Sequence, residues 1–85
     1  MTHTIKAGNT YYDRRYQQYF TLENLIPPPP DKDWSSEQYQ YVLDEWSKDN
    51  ENRFVARYDS GKIDFMFINW IEHHINGKQY LPKIF

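Results

Sequence analysis

Bulky apolar side chains crowd together in one stretch, Lys62-Ile63-Asp64-Phe65-Met66-Phe67-Ile68-Asn69-Trp70-Ile71-Glu72-His73-His74-Ile75. Removing large apolar groups from water is the main favourable term in folding, so this stretch belongs at the centre of the core. Two periods compete in it. Read as a strand, Ile63, Phe65 and Phe67 face one way and Asp64, Met66 and Ile68 the other. Read as a helix, Ile63, Phe67, Trp70, Ile71, His74 and Ile75 share a side. The flanks favour strands over 53–68. Asp59-Ser60-Gly61 forms a Gly-ending hairpin loop after Phe54-Val55-Ala56-Arg57-Tyr58, and the residue types are those of strands. A strand from 62 to 75 would be too long, so a bend or break is expected near Asn69. Asn76-Gly77 suits either a hairpin turn or a helix C-cap and leaves 69–76 open.

A second pattern is helical throughout. Tyr39, Val42, Leu43 and Trp46 recur at i, i+3, i+4 and i+7, which makes one apolar stripe. Ser35 and Gln38 form a capping box ahead of it, Glu37 puts an acid in the first turn, and Trp34 is placed to staple against Tyr39. Asp44 and Lys48 stand at pair spacing. Together these patterns predict an α+β fold, with one amphipathic helix (about 36–48) packed on a small antiparallel sheet from the C-terminal half. Tyr39, Leu43, Trp46, Phe65 and Phe67 would then be buried. If 53–75 is instead two helices, the alternative is an all-α three-helix domain.

The remaining segments are weaker. Residues 2–6 resemble a short strand. Thr10 and Asp13 could cap a helix placing Tyr12, Tyr16, Tyr19 and Phe20 on one face, a reading only slightly ahead of an irregular strand. Pro27-Pro28-Pro29-Pro30 excludes helix and central strand and reads as a rigid connector. Its match to a PxxP core with trailing Lys32 is weakened by Asp31 and Asp33. Residues 78–85 read as a terminal strand that Pro82 confines to an edge. The organisation expected is one domain over 1–85, with an aromatic N-terminal arm (1–26), a proline-rich connector (27–33) and a core (34–85).

Composition narrows the function more than it identifies it. With no cysteine there is no disulfide framework and no thiolate chemistry. No apolar run spans a membrane and the N-terminus lacks a signal-peptide pattern, which points to the cytoplasm and away from membranes. The net charge of −2 conceals a division: 31–51 carries seven acids and two bases, and the remainder carries five acids and eight bases. Adjacent His73 and His74 diverge on any regular backbone, and His3 has no spacing that brings it to them, so no metal site is expected. Neither a P-loop, a dinucleotide turn nor a nucleophile elbow is present, so no cofactor and no enzymatic activity are expected.

Binding is what remains. Aromatics are 19% of the chain, too many to bury in so small a body. Tyr41 stands opposite the apolar stripe among Glu37, Asp44 and Glu45, where it has no packing duty. With Trp34 at the helix entry, these residues form a candidate surface for a protein with a basic face. Arg14 and Arg15 in the arm form a second candidate patch. The expected function is that of a small inhibitor or adaptor of the size found in phages and mobile elements. The rival is nucleic-acid binding, in which Arg14, Arg15, Arg53, Arg57, Lys62 and Lys78 act beside aromatic rings. Overall acidity counts against it.

Overall fold

The computed structural model describes residues 4–83, and in them the chain is α+β. Its elements are β1 (Thr10–Asp13), β2 (Gln18–Asn24), α1 (Ser36–Asp49), β3 (Arg53–Tyr58), β4 (Ile63–Phe67), α2 (Ile68–Asn76) and β5 (Tyr80–Pro82). The strands form one antiparallel sheet in the order β4-β3-β2-β1-β5. The all-α alternative is not supported.

The hairpin expected after Tyr58 is present. Tyr58 N–H donates to the Lys62 carbonyl at 2.9 Å and Gly61 N–H to the Tyr58 carbonyl at 2.9 Å. Gly61 sits at φ +92°, a region that costs a side chain dearly. The chain then changes period at Phe67: β4 ends and α2 begins at Ile68, one residue before Asn69. Of the terminal strand expected over 78–85, Tyr80–Pro82 forms, residues 78, 79 and 83 do not join it, and residues 84 and 85 lie outside those described; Pro82 does lie on an edge. The strand expected over 2–6 is not formed at residues 4–6, and its first two residues lie outside those described.

Two expectations are corrected. The aromatic arm is no arm, because its residues 10–24 form β1 and β2, which lie inside the sheet. The helix reading would have grouped Tyr12, Tyr16, Tyr19 and Phe20. Period two wins instead, with Tyr11 and Phe20 stacking in the core (5.5 Å between centroids) and Tyr12 and Tyr19 pairing edge-on across the other face (5.1 Å). Gln17, at φ 55°, closes the turn between them. The sheet therefore draws on both halves of the chain.

The second correction concerns the core. Tyr11, Phe20, Leu22, Ala56, Tyr58, Met66, Ile71 and Tyr80 are its buried side chains, with Ile5, Phe54 and Ile75 packed against them. Phe20 is the hub, with Tyr58 at 5.1 Å and Tyr80 at 5.0 Å in addition to Tyr11. The register Phe54↔Met66 and Ala56↔Asp64 turns the even residues of β4 inward. Phe65 and Phe67 therefore point to the opposite face and are exposed. Among the described residues no helix packs on that face: α2 packs against β4 and β5 with Ile71 and Ile75 on the core side, and α1 packs extensively on no strand. None of the residues of α1 is buried, Tyr39, Leu43 and Trp46 included; its stripe is only half-covered.

Candidate functional site

Helix α1 forms for local reasons. The Ser35 Oγ accepts from Gln38 N–H (3.2 Å), and Gln38 Oε1 accepts from Ser35 N–H (2.7 Å), which closes the capping box. Trp34 stacks on Tyr39 (6.3 Å), and the Tyr39 hydroxyl donates to the Pro28 carbonyl (2.9 Å), tying the helix to the proline segment. At the far end Asn50 N–H and side-chain amide both bond the Trp46 carbonyl.

Five of the seven candidate partner-binding residues lie along this helix or at its entry. Trp34, Glu37, Gln38, Tyr41 and Val42 line a shallow depression of about 410 Å³. Tyr41 is 67% exposed and Trp34 39%. Glu37 stands in the first turn, where the helix dipole favours an acid. Asp44 and Glu45 are about two turns further on. The expected Asp44–Lys48 pair is replaced: Lys48 lies 3.6 Å from Glu45, and Asp44 accepts from Gln40 (2.9 Å). Both contacts are at the surface and contribute little.

Arg14 and Arg15 do not join this surface. They sit on the β1–β2 turn beside β5, where Arg14 N–H donates to the Gln79 carbonyl (3.0 Å). Arg15 is committed to Asp13, a fully buried carboxylate that the sequence offers only as a helix-capping partner of Thr10. Asp13 accepts from Arg15 N–H (2.9 Å), from the guanidinium (3.2 and 3.3 Å) and from the Tyr58 hydroxyl (2.8 Å). Arg15 also donates to the Tyr80 hydroxyl (2.9 Å), which takes a further bond from the Trp70 indole (3.2 Å). Burial pushes the Asp13 carboxyl up, but these donors outweigh it and hold it below the usual carboxylate range. Burial, reinforced by Asp13, pushes Tyr58 well above the ordinary phenol range. Each partner fixes another, so the cluster is a satisfied polar core and not a reactive carboxylate. Only its placement opposite Tyr80 and Tyr58 distinguishes Asp13 from a surface acid, and that placement depends on strand register.

The histidines are on α2. His74 Nδ1 lies 2.9 Å from the Trp70 carbonyl, and its ring stacks on Tyr80 (4.8 Å) and leans on Trp70 (4.1 Å). His73 is exposed, with ring centroids 5.4 Å apart. Among the described residues no group of three or more His, Asp or Glu is placed to hold a metal ion.

The open sheet face forms a second surface. Arg53 lies over Phe65 and Phe67 (5.1 and 5.3 Å), Lys83 over Tyr19 (4.9 Å), and Arg57 pairs with Glu23. No family model, curated protein or solved structure matches this chain. Among the described residues no helix is long and apolar enough to cross a membrane.

Proposed function

We propose that the protein is a non-enzymatic protein-binding module of inhibitor or adaptor type, which engages a basic partner through the exposed face of α1. What carries the reading is a helix with a complete cap and staple, none of whose residues is buried, presenting Trp34 at its entry and Tyr41 around a depression that Glu37 also lines. Aromatic anchors in a recess with a polar rim are the usual anatomy of a binding hot spot. The negative charge concentrated between Asp31 and Glu51 steers a cationic surface toward it. A cysteine-free chain is suited to the reducing cytoplasm, where we place this activity.

Affinity capture from lysate treated with nuclease, followed by binding measurements on the captured protein, tests the proposal. Tyr41→Ala should weaken binding by about 1 kcal/mol or more while leaving thermal stability nearly unchanged. Reversing Asp44 and Glu45 should slow association, most at low salt. If Tyr41→Ala binds as well as the parent, the helix face is not the interface. A second reading, single-stranded nucleic acid on the open sheet face, draws support from the cations beside Phe65, Phe67 and Tyr19. Recovery of nucleic acid alone, lost on nuclease treatment, favours that reading.

A further inference from the structure

The two edges of the sheet are unequal. On β5, Pro82 removes a donor and the strand is only three residues long, both common ways of closing an edge to further pairing. β4 is a five-residue edge, Ile63-Asp64-Phe65-Met66-Phe67, with no proline. Its hydrogen-bond register follows from the ends of the hairpin: Tyr58 N–H donates to the Lys62 carbonyl and Ile68 N–H to the Asn52 carbonyl (2.7 Å). Backbone groups alternate sides along an antiparallel strand, so the even residues of β4 address β3. The N–H and C=O of Ile63, Phe65 and Phe67 therefore point away from the sheet. The same three residues carry the side chains left on the open face, exposed by 47%, 52% and 45%. The local guard is Asp64, whose carboxylate takes the Phe65 N–H at 2.9 Å.

We propose that β4 is a dimerisation edge, on which a second copy of this chain pairs β4 with β4 antiparallel about a two-fold axis at Phe65, joining two five-stranded sheets into one. The apolar pattern is what selects a second copy. With Phe65 opposite its own equivalent, Ile63 of each copy falls opposite Phe67 of the other. All these side chains stand on one face as directly paired neighbours. The contact is isologous, so both copies are satisfied at once. On the core side Asp64 falls opposite the second copy's Met66, and no like charges stand directly opposed. The Phe65 N–H exchanges its bond to Asp64 for one to a carbonyl, so no donor is stranded. Arg53, stacked over Phe65 and Phe67 from the β3 side, holds the rings without covering the edge. A shallow groove lined by Asp64, Phe65, Met66 and Phe67 of the strand together with Arg15, Tyr16 and Trp70 runs beside β4 and leaves space for the incoming backbone. The strip is small as specific interfaces go, so assembly should depend on concentration.

Light scattering on the purified protein at roughly 0.1 mM and at tenfold dilutions tests this, since that range spans micromolar dissociation constants. The expected mass at the top concentration is twice the 10.5 kDa of the chain, falling on dilution. Phe65→Lys should return it to a single chain, and Leu81→Lys, on the same face at the other edge, should leave the doubling intact. A single-chain mass for the parent at the top concentration overturns the proposal. So does a doubled mass that survives Phe65→Lys, or one that Leu81→Lys abolishes equally, or added mass identified as nucleic acid or another protein. Should Phe65→Lys fail to fold, amide exchange in the parent decides: the Ile63 and Phe67 amides should slow several-fold over a tenfold rise in concentration. Unchanged rates overturn the proposal.

Discussion

The two helices invert the usual relation between local signal and structural importance. Helix α1 obeys the local rules, with a closed capping box, a stacked staple, an acid in its first turn and a base in its last, yet none of its residues is buried. Helix α2 breaks several of them. Phe67 caps it with no side-chain bond, and its first turn has no acid. At its end Gln79 N–H bonds the His74 carbonyl and Lys78 N–H the Ile75 carbonyl, the two bonds of a Schellman motif. The left-handed position falls on Lys78 (φ 60°), with Gly77 one residue too early at φ −79°. Even so, α2 buries Ile71 and packs Ile75 against the core. Local rules determine whether a segment turns into helix; which helix matters to the fold is decided by the face it finds to cover.

Truncation in the two regions should separate them most widely. Phe20→Ala, at the hub of the aromatic core, should cost about 3–5 kcal/mol and leave little folded protein. Trp46→Ala, in the half-covered stripe of α1, should cost no more than about 1–2 kcal/mol. Urea unfolding measures both, and equal costs would abolish the distinction.

Asp13→Ala comes next, at about 2–4 kcal/mol, because it strands the Tyr58 hydroxyl and leaves Arg15 without its carboxylate. Acid should act in the same way. Asp13 is held below its unfolded pKa, so its contribution is complete above about pH 4 and is lost as pH falls through the folded value. Tyr58 is held above its unfolded pKa, so its contribution is complete below about pH 10 and is lost at higher pH. Unfolding midpoints across pH should therefore fall at both ends, and Asp13→Asn should flatten the acid limb.

Much of this was legible beforehand, and what was not shares one cause. Ser35, Gln38, Trp34 and Gly61 behave as their local chemistry requires, and the break in period falls one residue before Asn69. Burial of Met66 in place of Phe65 is not legible in the sequence, because a strand's two faces look alike until register assigns them, and here Phe54 pairs with Met66. Tyr12 and Tyr19 misled in the same way, since i and i+7 satisfies a helix while the real partner is across a turn. The candidate surface on α1 was visible because it is local. The Asp13 cluster joins residues 13, 58 and 80 and leaves no trace in spacing.

Smaller tests refine the contrast. Ser35→Ala should cost about 1 kcal/mol and speed amide exchange within α1 alone, leaving the sheet amides unchanged. Lys78→Gly should stabilise the protein by up to about 1 kcal/mol, by relieving a left-handed lysine in the helix that matters to the core. If Ser35→Ala loosens the sheet as well, α1 is more tightly coupled to the core than its exposure implies.

The order β4-β3-β2-β1-β5 also bears on how quickly the chain reaches this state. Hairpins β1–β2 and β3–β4 close over short loops and can form early. The β1–β5 pairing, Tyr12↔Leu81 and Asp13↔Tyr80, joins residues separated by nearly the whole described chain and must wait for that closure. Tyr80 is also the last-synthesised of the core side chains, so on the ribosome Phe20 and Asp13 remain without it until translation has passed β5. The nascent chain thus spends its synthesis with the β1 side of the sheet unprotected, and refolding should show a slow final phase reported by the Tyr80 environment.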